Sequence, residues 1–226
     1  VYGWGFLNPK GGFFAEYAVL PQDEVSSVPD TLSQREAGAL AVDGLTALAG
    51  LDLLRIEADQ ALMILGASGG VGHLALQLAK RLGARVLALA SGDDGVSLAR
   101  RLGADEVIEG HSRDSAAKAR AFAPGGLDAA LFLAGSNVDD LLGLVRRGGR
   151  IAYPNGIEPE PSPRPGIAVE AFDGYHGREA LDRLNQLVNA GPFHVEVSRI
   201  YALEDTPHAL RDVKRHHLGK LAVHVR

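Results

Sequence analysis

Cysteine is absent from all 226 residues, and that one absence removes disulfides, thiolate zinc sites and a cysteine nucleophile together. It also fits a cytoplasmic location, which is the expected one. Methionine occurs once, at Met63, and the chain opens on Val1, so the sequence reads either as a processed start or as a piece of a longer protein. There is no basic excess. The formal net charge is −5, with 23 Lys and Arg against 28 Asp and Glu, and no basic stripe invites a nucleic acid. No apolar run reaches the ~20 residues that a membrane-spanning helix needs. The opening VYGWGFLNPKGG has neither the basic nor the apolar region of a signal peptide. Neither nucleic acid nor membrane is therefore expected as a partner. A hydrophobic share of 46% and this length suffice to bury a full core.

What is present is alternation. Short apolar runs at 61–65, 85–90, 105–108, 127–133 and 150–153 read as strands. Between them, 70–82, 94–102, 112–123 and 138–146 carry helical spacing, with Val71, Leu74, Ala75, Leu78 and Leu82 on one face of the first. Strand–helix alternation of this kind builds a parallel sheet with helices on both faces, the Rossmann doubly wound α/β arrangement. The flanks differ. Residues 1–30 are rich in glycine and aromatics, with a strand-like stretch at 13–20. Thr31 or Ser33 caps a helix, and a second helix is expected at 44–55. The stretch 158–165 (EPEPSPRP) is too proline-rich for regular structure, 179–189 is an amphipathic helix, and 221–225 alternates as a last strand. The expected division is 1–30, 31–194 and 195–226, with the middle part binding the dinucleotide.

The chemistry sits between the first strand and its helix, in Gly66-Ala67-Ser68-Gly69-Gly70-Val71-Gly72. Aligned on its last glycine the segment reads A-x-G-x-x-G, the dinucleotide fingerprint in its required strand–turn–helix setting. Gly69 lets the backbone approach a pyrophosphate, and Gly72 permits close packing of helix on strand. The amides of the helix start, at the positive end of its dipole, face the phosphates. The second strand ends Leu89-Ala90-Ser91-Gly92 without a carboxylate, leaving room for a 2′-phosphate. Asp93 and Asp94 follow at once, and no Lys or Arg sits in the next few positions. If those acids cap the helix, NADPH is favoured; if they turn to the ribose, NADH is. NADPH is the expected cofactor, with NADH possible. A Tyr-x-x-x-Lys pair is absent, because none of Tyr2, Tyr17, Tyr153, Tyr175 and Tyr201 has a lysine four residues later.

The text around this motif resembles the zinc-independent quinone oxidoreductases of the medium-chain dehydrogenase/reductase superfamily. The resemblance runs along the chain through Gly12 to Tyr17, Val28 to Ser33, Glu36 to Leu40, Gly44 to Ala47, Gly66 to Gly72, Leu102 to Asp105, Gly148 to Arg150 and Gly219 to Leu221. It implies hydride transfer from NADPH to a quinone or an α,β-unsaturated carbonyl, with no metal, in a homodimer paired through an edge near 167–172. By the same resemblance Thr46 touches the nicotinamide region, and Ser68, Gly69, Gly70 and Val71 hold the pyrophosphate. Ser91 and Gly92 border the adenosine ribose, and Ala134 and Gly135 line the cleft. Tyr153, Pro154 and Asn155 follow the strand beneath the nicotinamide, and Phe172 comes from the next one. His111 lies either near the adenosine end or in a solvated loop.

The resemblance departs in two places. Gly95 stands where the family often has a lysine for the 2′-phosphate. The family's β-rich, GroES-like opening is represented only by a remnant at 1–30, with a return to that domain at 195–226. Zinc-dependent relatives use Cys and a Gly-His-Glu segment, and neither occurs here. The adjacent His216 and His217 would point in different directions on a helix and chelate poorly; with His208 they read as surface residues, and Tyr175-His176 as a loop feature. No residue presents itself as the general acid. The other function class is a cofactor-binding or regulatory relative with little turnover, since the glycine motif predicts binding in both cases.

Overall fold

The structure is a computed structural model, and it describes all residues except 6–11, 111, 113, 136, 137 and 226, and, within a helix, the side chains of Val138 and Asp139. A short antiparallel pair, β1 (Tyr2–Gly3) and β2 (Val25–Ser26), precedes the long helix α1 (Gln34–Leu54). Then come β3 (Ala61–Leu65), α2 (Gly70–Arg81), β4 (Arg85–Ala90), α3 (Gly92–Arg101), β5 (Glu106–Glu109) and α4 (Ser115–Phe122). The second half runs β6 (Leu127–Phe132), α5 (Val138–Leu142), β7 (Val145–Pro154) and β8 (Ala168–Phe172). Helix α6 (Arg178–Asn189), β9 (Val197–Ala202), α7 (Thr206–Asp212) and β10 (Lys220–His224) complete the chain.

Six strands form one parallel sheet in the order β5-β4-β3-β6-β7-β8. Strand β3 is buried along its whole length, as a central parallel strand with both faces covered must be. Its side chains divide the core. Leu62 and Ile64 join the cluster beneath α1, α2 and α6, while Ala61, Met63 and Leu65 join the cluster on the opposite face. The doubly wound α/β expectation is met. Chain order reverses between β3 and β6, and it is outside the carboxyl ends of strands at such a switch point that open α/β sheets bind ligands.

Several boundaries differ from expectation. The helices expected around 31–33 and at 44–55 are one helix, α1. Ser33 caps it in a reciprocal box: Ser33 Oγ accepts from the Glu36 amide at 3.3 Å, and Glu36 Oε2 accepts from the Ser33 amide at 2.8 Å. Gly44 and Gly50 do not break it, because a side chain would not fit. A Cβ on Gly44 would lie 2.8 Å from Leu184 Cδ2, and one on Gly50 would lie 2.7 Å from Phe172 Cζ. This helix is long and apolar enough to cross a membrane by length and composition, with hydropathy 1.5, which the reading as two helices missed. Two thirds of that stretch (67%) is buried inside the protein. The stretch 13–20 is not a strand, for it forms bends and irregular backbone with Phe13, Phe14 and Tyr17 exposed. The helix expected over 138–146 stops at Leu142, and the strand at 150–153 begins instead at Val145, where the main chain pairs with Leu127.

The flanks are tied to the central unit by polar contacts. Tyr2 donates its hydroxyl to Asn185 Oδ1 at 2.6 Å, and Asn185 Nδ2 donates to Ser26 Oγ and to the Ser27 carbonyl. Strands β9 and β10 pair in parallel as a separate two-stranded sheet, and β10 packs against α1. The segment entering β10 is pinned on the glycine turn, where the Gly219 amide donates to the Ser68 carbonyl at 2.9 Å.

Candidate active site at the switch point

The turn after β3 is built by main-chain bonds. Gly66 adopts φ +83, and its amide and that of Ala67 both donate to the Leu89 carbonyl, at 3.0 and 2.9 Å. The Gly69 amide then closes back on the Gly66 carbonyl at 3.1 Å, and Gly69 becomes the N-cap of α2 with no side chain to satisfy the helix amides. Three glycines of the turn differ in what surrounds them. A Cβ on Gly72 would lie 2.0 Å from Gly66 O and 2.8 Å from Ala67 Cα, so only glycine lets helix and turn approach this closely. A Cβ on Gly70 would lie 2.2 Å from Asp43 Oδ2. A Cβ on Gly69 meets nothing of the protein nearer than Gly66 O at 3.4 Å, because that side of the turn faces open space. That space is a groove of about 290 Å³, walled by the glycine turn, Leu133 and Pro154 on the sheet side and by Val213, His217 and Lys220 on the other. Bare backbone at a helix start facing a groove at the switch point is a cradle that a pyrophosphate fits.

A buried carboxylate stands at the edge of this groove. Asp43 of α1 is 8% exposed, and Lys220 of β10 meets its Oδ2 at 2.9 Å. Lys220 therefore neutralises an acid that would otherwise repel phosphate at the start of α2. Behind the turn, His73 is fully buried. Its Nδ1–H donates to the Gly69 carbonyl at 2.8 Å, and its Nε2 accepts from the Glu196 amide at 3.1 Å. Burial holds its pKa below the ordinary histidine value. His73 is thus a neutral strut between the N-cap of α2 and the chain entering β9.

The structure gathers only part of the expected set. Gly69, Gly70, Val71 and Pro154 line the groove. Ser68 is 7% exposed and offers its carbonyl to Gly219, while a Cβ on Gly95 would lie 2.8 Å from its hydroxyl. The glycine at 95 is therefore a packing requirement over Ser68. Ala134 follows β6 beside the turn, where a Cβ on Gly66 would lie 3.4 Å from the Ala134 methyl. Gly135 lies so close under the 158–159 backbone that a Cβ would come 1.9 Å from the Glu158 carbonyl. Thr46 is half-buried on α1, donates to the Val42 carbonyl at 2.8 Å and abuts Gly174. Tyr153 and Phe172 send their rings into the two opposite core clusters. Asn155 is occupied at the sheet edge, donating from Nδ2 to Asp173 at 2.9 Å. His111 lies outside the described residues.

At the tip of β4, Ser91 caps α3 through its backbone position, with no side-chain cap bond, and Gly92 takes φ +74; neither lines the groove. Neither Asp93 nor Asp94 caps α3. Asp94 Oδ1 accepts from the adjacent Gly95 amide at 2.8 Å, and both its oxygens lie 3.1 Å from His216 Nε2. His216 and His217 do point apart, the first to Asp94 and the second to the groove. Asp43, Lys220 and His73 escaped the sequence reading as site residues, and His216 and His217 were read only as surface residues, because these contacts join residues up to 177 positions apart (Asp43 to Lys220). Among the described residues, no group of three or more His, Asp or Glu is placed to hold a metal ion.

A parallel sheet in this order, with a glycine turn at its switch point, defines a Rossmann-type dehydrogenase fold. A family profile described as "Zinc-binding dehydrogenase" matches residues 70–164. The chain is 30% identical to the mitochondrial NAD(P)H oxidoreductase RTN4IP1 of Mus musculus, over 98% of this chain and 64% of that protein. It is 29% identical to the alcohol dehydrogenase notN of an Aspergillus species, over 76% of this chain and 52% of that one. The chain thus spans between about half and two thirds of these relatives. Among solved structures, the quinone oxidoreductase of Thermus thermophilus, described also in complex with NADPH, superposes with a TM-score of 0.78 at 29% identity. That match covers 94% of this chain and 73% of the other. The protein belongs to the medium-chain dehydrogenase/reductase superfamily, and within it is quinone oxidoreductase-like.

Proposed function

We propose that the protein is a cytoplasmic, NADPH-dependent oxidoreductase that reduces a quinone or an α,β-unsaturated carbonyl without a metal ion. The observation that carries this reading is the open side of Gly69, where bare backbone at the start of α2 faces the groove. Gly69, Gly70 and Val71 would hold the pyrophosphate, Lys220 would offset the Asp43 carboxylate beside it, and Ser91 and Gly92 would border the adenosine ribose. When bound, NADPH supplies hydride from its nicotinamide ring. Pro154 lines the groove where the family resemblance puts the ring, Thr46 and Ala134 would complete that end by resemblance, and Leu133, Val213 and Leu221 give the groove apolar walls. The likeness to a quinone oxidoreductase described with NADPH supports the substrate class. The lack of cysteine supports metal independence.

The test is steady-state NADPH consumption against a panel of quinones and enones, with and without a chelator. Turnover that survives chelation is expected. Turnover that disappears on chelation and returns with zinc would overturn the metal-free reading. Tight NADPH binding without consumption of any acceptor would favour the regulatory alternative.

A further inference from the structure

The tip of β4 carries a pair of residues that the glycine motif does not explain. Asp94 follows the tip by two positions, where its charge would oppose a 2′-phosphate. It does not stand free. The Gly95 amide donates to Oδ1, and His216 Nε2 lies 3.1 Å from each oxygen, across 122 positions of sequence. The pair sits directly on the tip, since a Cβ on Gly92 would lie 2.7 Å from Asp94 Oδ1 and 3.7 Å from both Cε1 and Nε2 of His216. Both side chains are 54% exposed, so the contact adds little to stability. Its position, rather than its strength, calls for an explanation.

One short segment reaches both the groove and the β4 tip. Val213 and His217 wall the groove, Lys220 reaches Asp43 beside the glycine turn, and His216 reaches Asp94 at the β4 tip. The 213–221 segment therefore joins the glycine turn to the tip of β4.

We propose that His216 and Asp94 are the cofactor-selecting element of this protein, an inference that rests on the dinucleotide reading above. His216 donates from Nε2 to the Asp94 carboxylate and holds it on the α3 amide, so that the carboxylate at the tip is already paired when a cofactor binds. The imidazole also stands beside Gly92, 3.7 Å from where a Cβ would lie. With the clamp closed, the tip receives a 2′-phosphate. With His216 removed, Asp94 is released to accept from a ribose 2′-hydroxyl and to repel a phosphate, which favours NADH.

The test measures dissociation constants for NADPH and NADH at one ionic strength, for the parent, His216→Ala, Asp94→Asn and the double variant. The parent prefers NADPH. His216→Ala lowers the NADPH-to-NADH preference roughly tenfold, the scale of one charge-assisted bond. Asp94→Asn raises it, and the effect of His216→Ala shrinks on the Asp94→Asn background because its target charge is gone. His216→Gln, which keeps an N–H donor for Asp94, retains part of the preference, whereas a merely structural role would not separate glutamine from alanine in this ratio. Binding of both cofactors with a ratio unmoved by either single change overturns the proposal alone. A parent that binds neither dinucleotide overturns the dinucleotide reading, and this proposal with it.

Discussion

Gly69 and Gly72 are both fingerprint glycines, yet their surroundings predict opposite consequences of the same substitution. Gly72→Ala places a methyl 2.0 Å from Gly66 O and 2.8 Å from Ala67 Cα, and both obstacles are backbone. The turn must open or α2 must slide. Overpacking of this kind costs about 1–3 kcal/mol, from which alanine's better helix propensity recovers up to ~1 kcal/mol. With both obstacles in the backbone the upper end applies, and the net loss of about 2–3 kcal/mol lowers the melting temperature of a chain of this length by roughly 4–12 °C. Gly69→Ala has no such obstacle, with its nearest protein atom at 3.4 Å and a backbone at φ −79, ψ −176 open to any residue. Its stability stays near that of the parent, because the poorer N-cap and the stiffer unfolded chain roughly cancel. Its methyl instead enters the groove where phosphate oxygens approach the α2 amides. Losing one charge-assisted bond there, about 1.5–3 kcal/mol, weakens NADPH roughly 10- to 150-fold. Gly69→Val weakens it further. Thermal melts and calorimetric titrations of the variants separate the two effects. Unchanged NADPH affinity in a stable Gly69→Val protein would refute the placement of the pyrophosphate. An unchanged melting temperature for Gly72→Ala would refute the packing argument.

Further outcomes follow from single contacts. Ser33→Ala removes the Oγ that caps α1 and lowers stability by about 1 kcal/mol, read as a shift of roughly 2–4 °C in melting temperature. His73 has a folded pKa below its ordinary value of 6.5, so under acid the unfolded chain binds the extra proton and the folded chain resists it. Stability is therefore lost as pH falls below about 6.5, by up to ~1.4 kcal/mol per pH unit; His73→Gln flattens that slope, and an identical pH profile in the variant would contradict the role. In light scattering at micromolar concentration we expect twice the 23.8 kDa chain mass, through the β8 edge, and a monomeric mass would count against pairing.

How much of this was legible in the sequence depended on the range of the contacts. The strands at 61–65 and 85–90 were bounded to the residue, because central parallel strands are continuous apolar runs between glycine-marked turns. The glycine turn was legible because much of its chemistry is local: Gly69 and Gly72 answer to atoms of Gly66 and Ala67. Helix α1 was misread as two because glycine usually interrupts helices, and the residues that demand Gly44 and Gly50, Leu184 and Phe172, lie more than 100 positions away. The region 13–20 has strand-like composition but forms bends and irregular backbone, and its aromatic side chains stay exposed. At the site, Tyr153 belongs to β7, which borders the groove at Pro154, and Phe172 to the neighbouring β8, yet core packing takes both rings elsewhere. The histidines at 216 and 217 read as surface residues, and half-exposed they are, but which surface they share was fixed by tertiary folding alone.

The most direct test of the central claim is a calorimetric titration of NADPH into the 226-residue protein. A groove built of bare amides at the switch point predicts saturable binding of one NADPH per chain, weakened as salt is added because charged phosphates are being held. Absence of any saturable heat up to millimolar NADPH, in a protein that melts cooperatively, would contradict it.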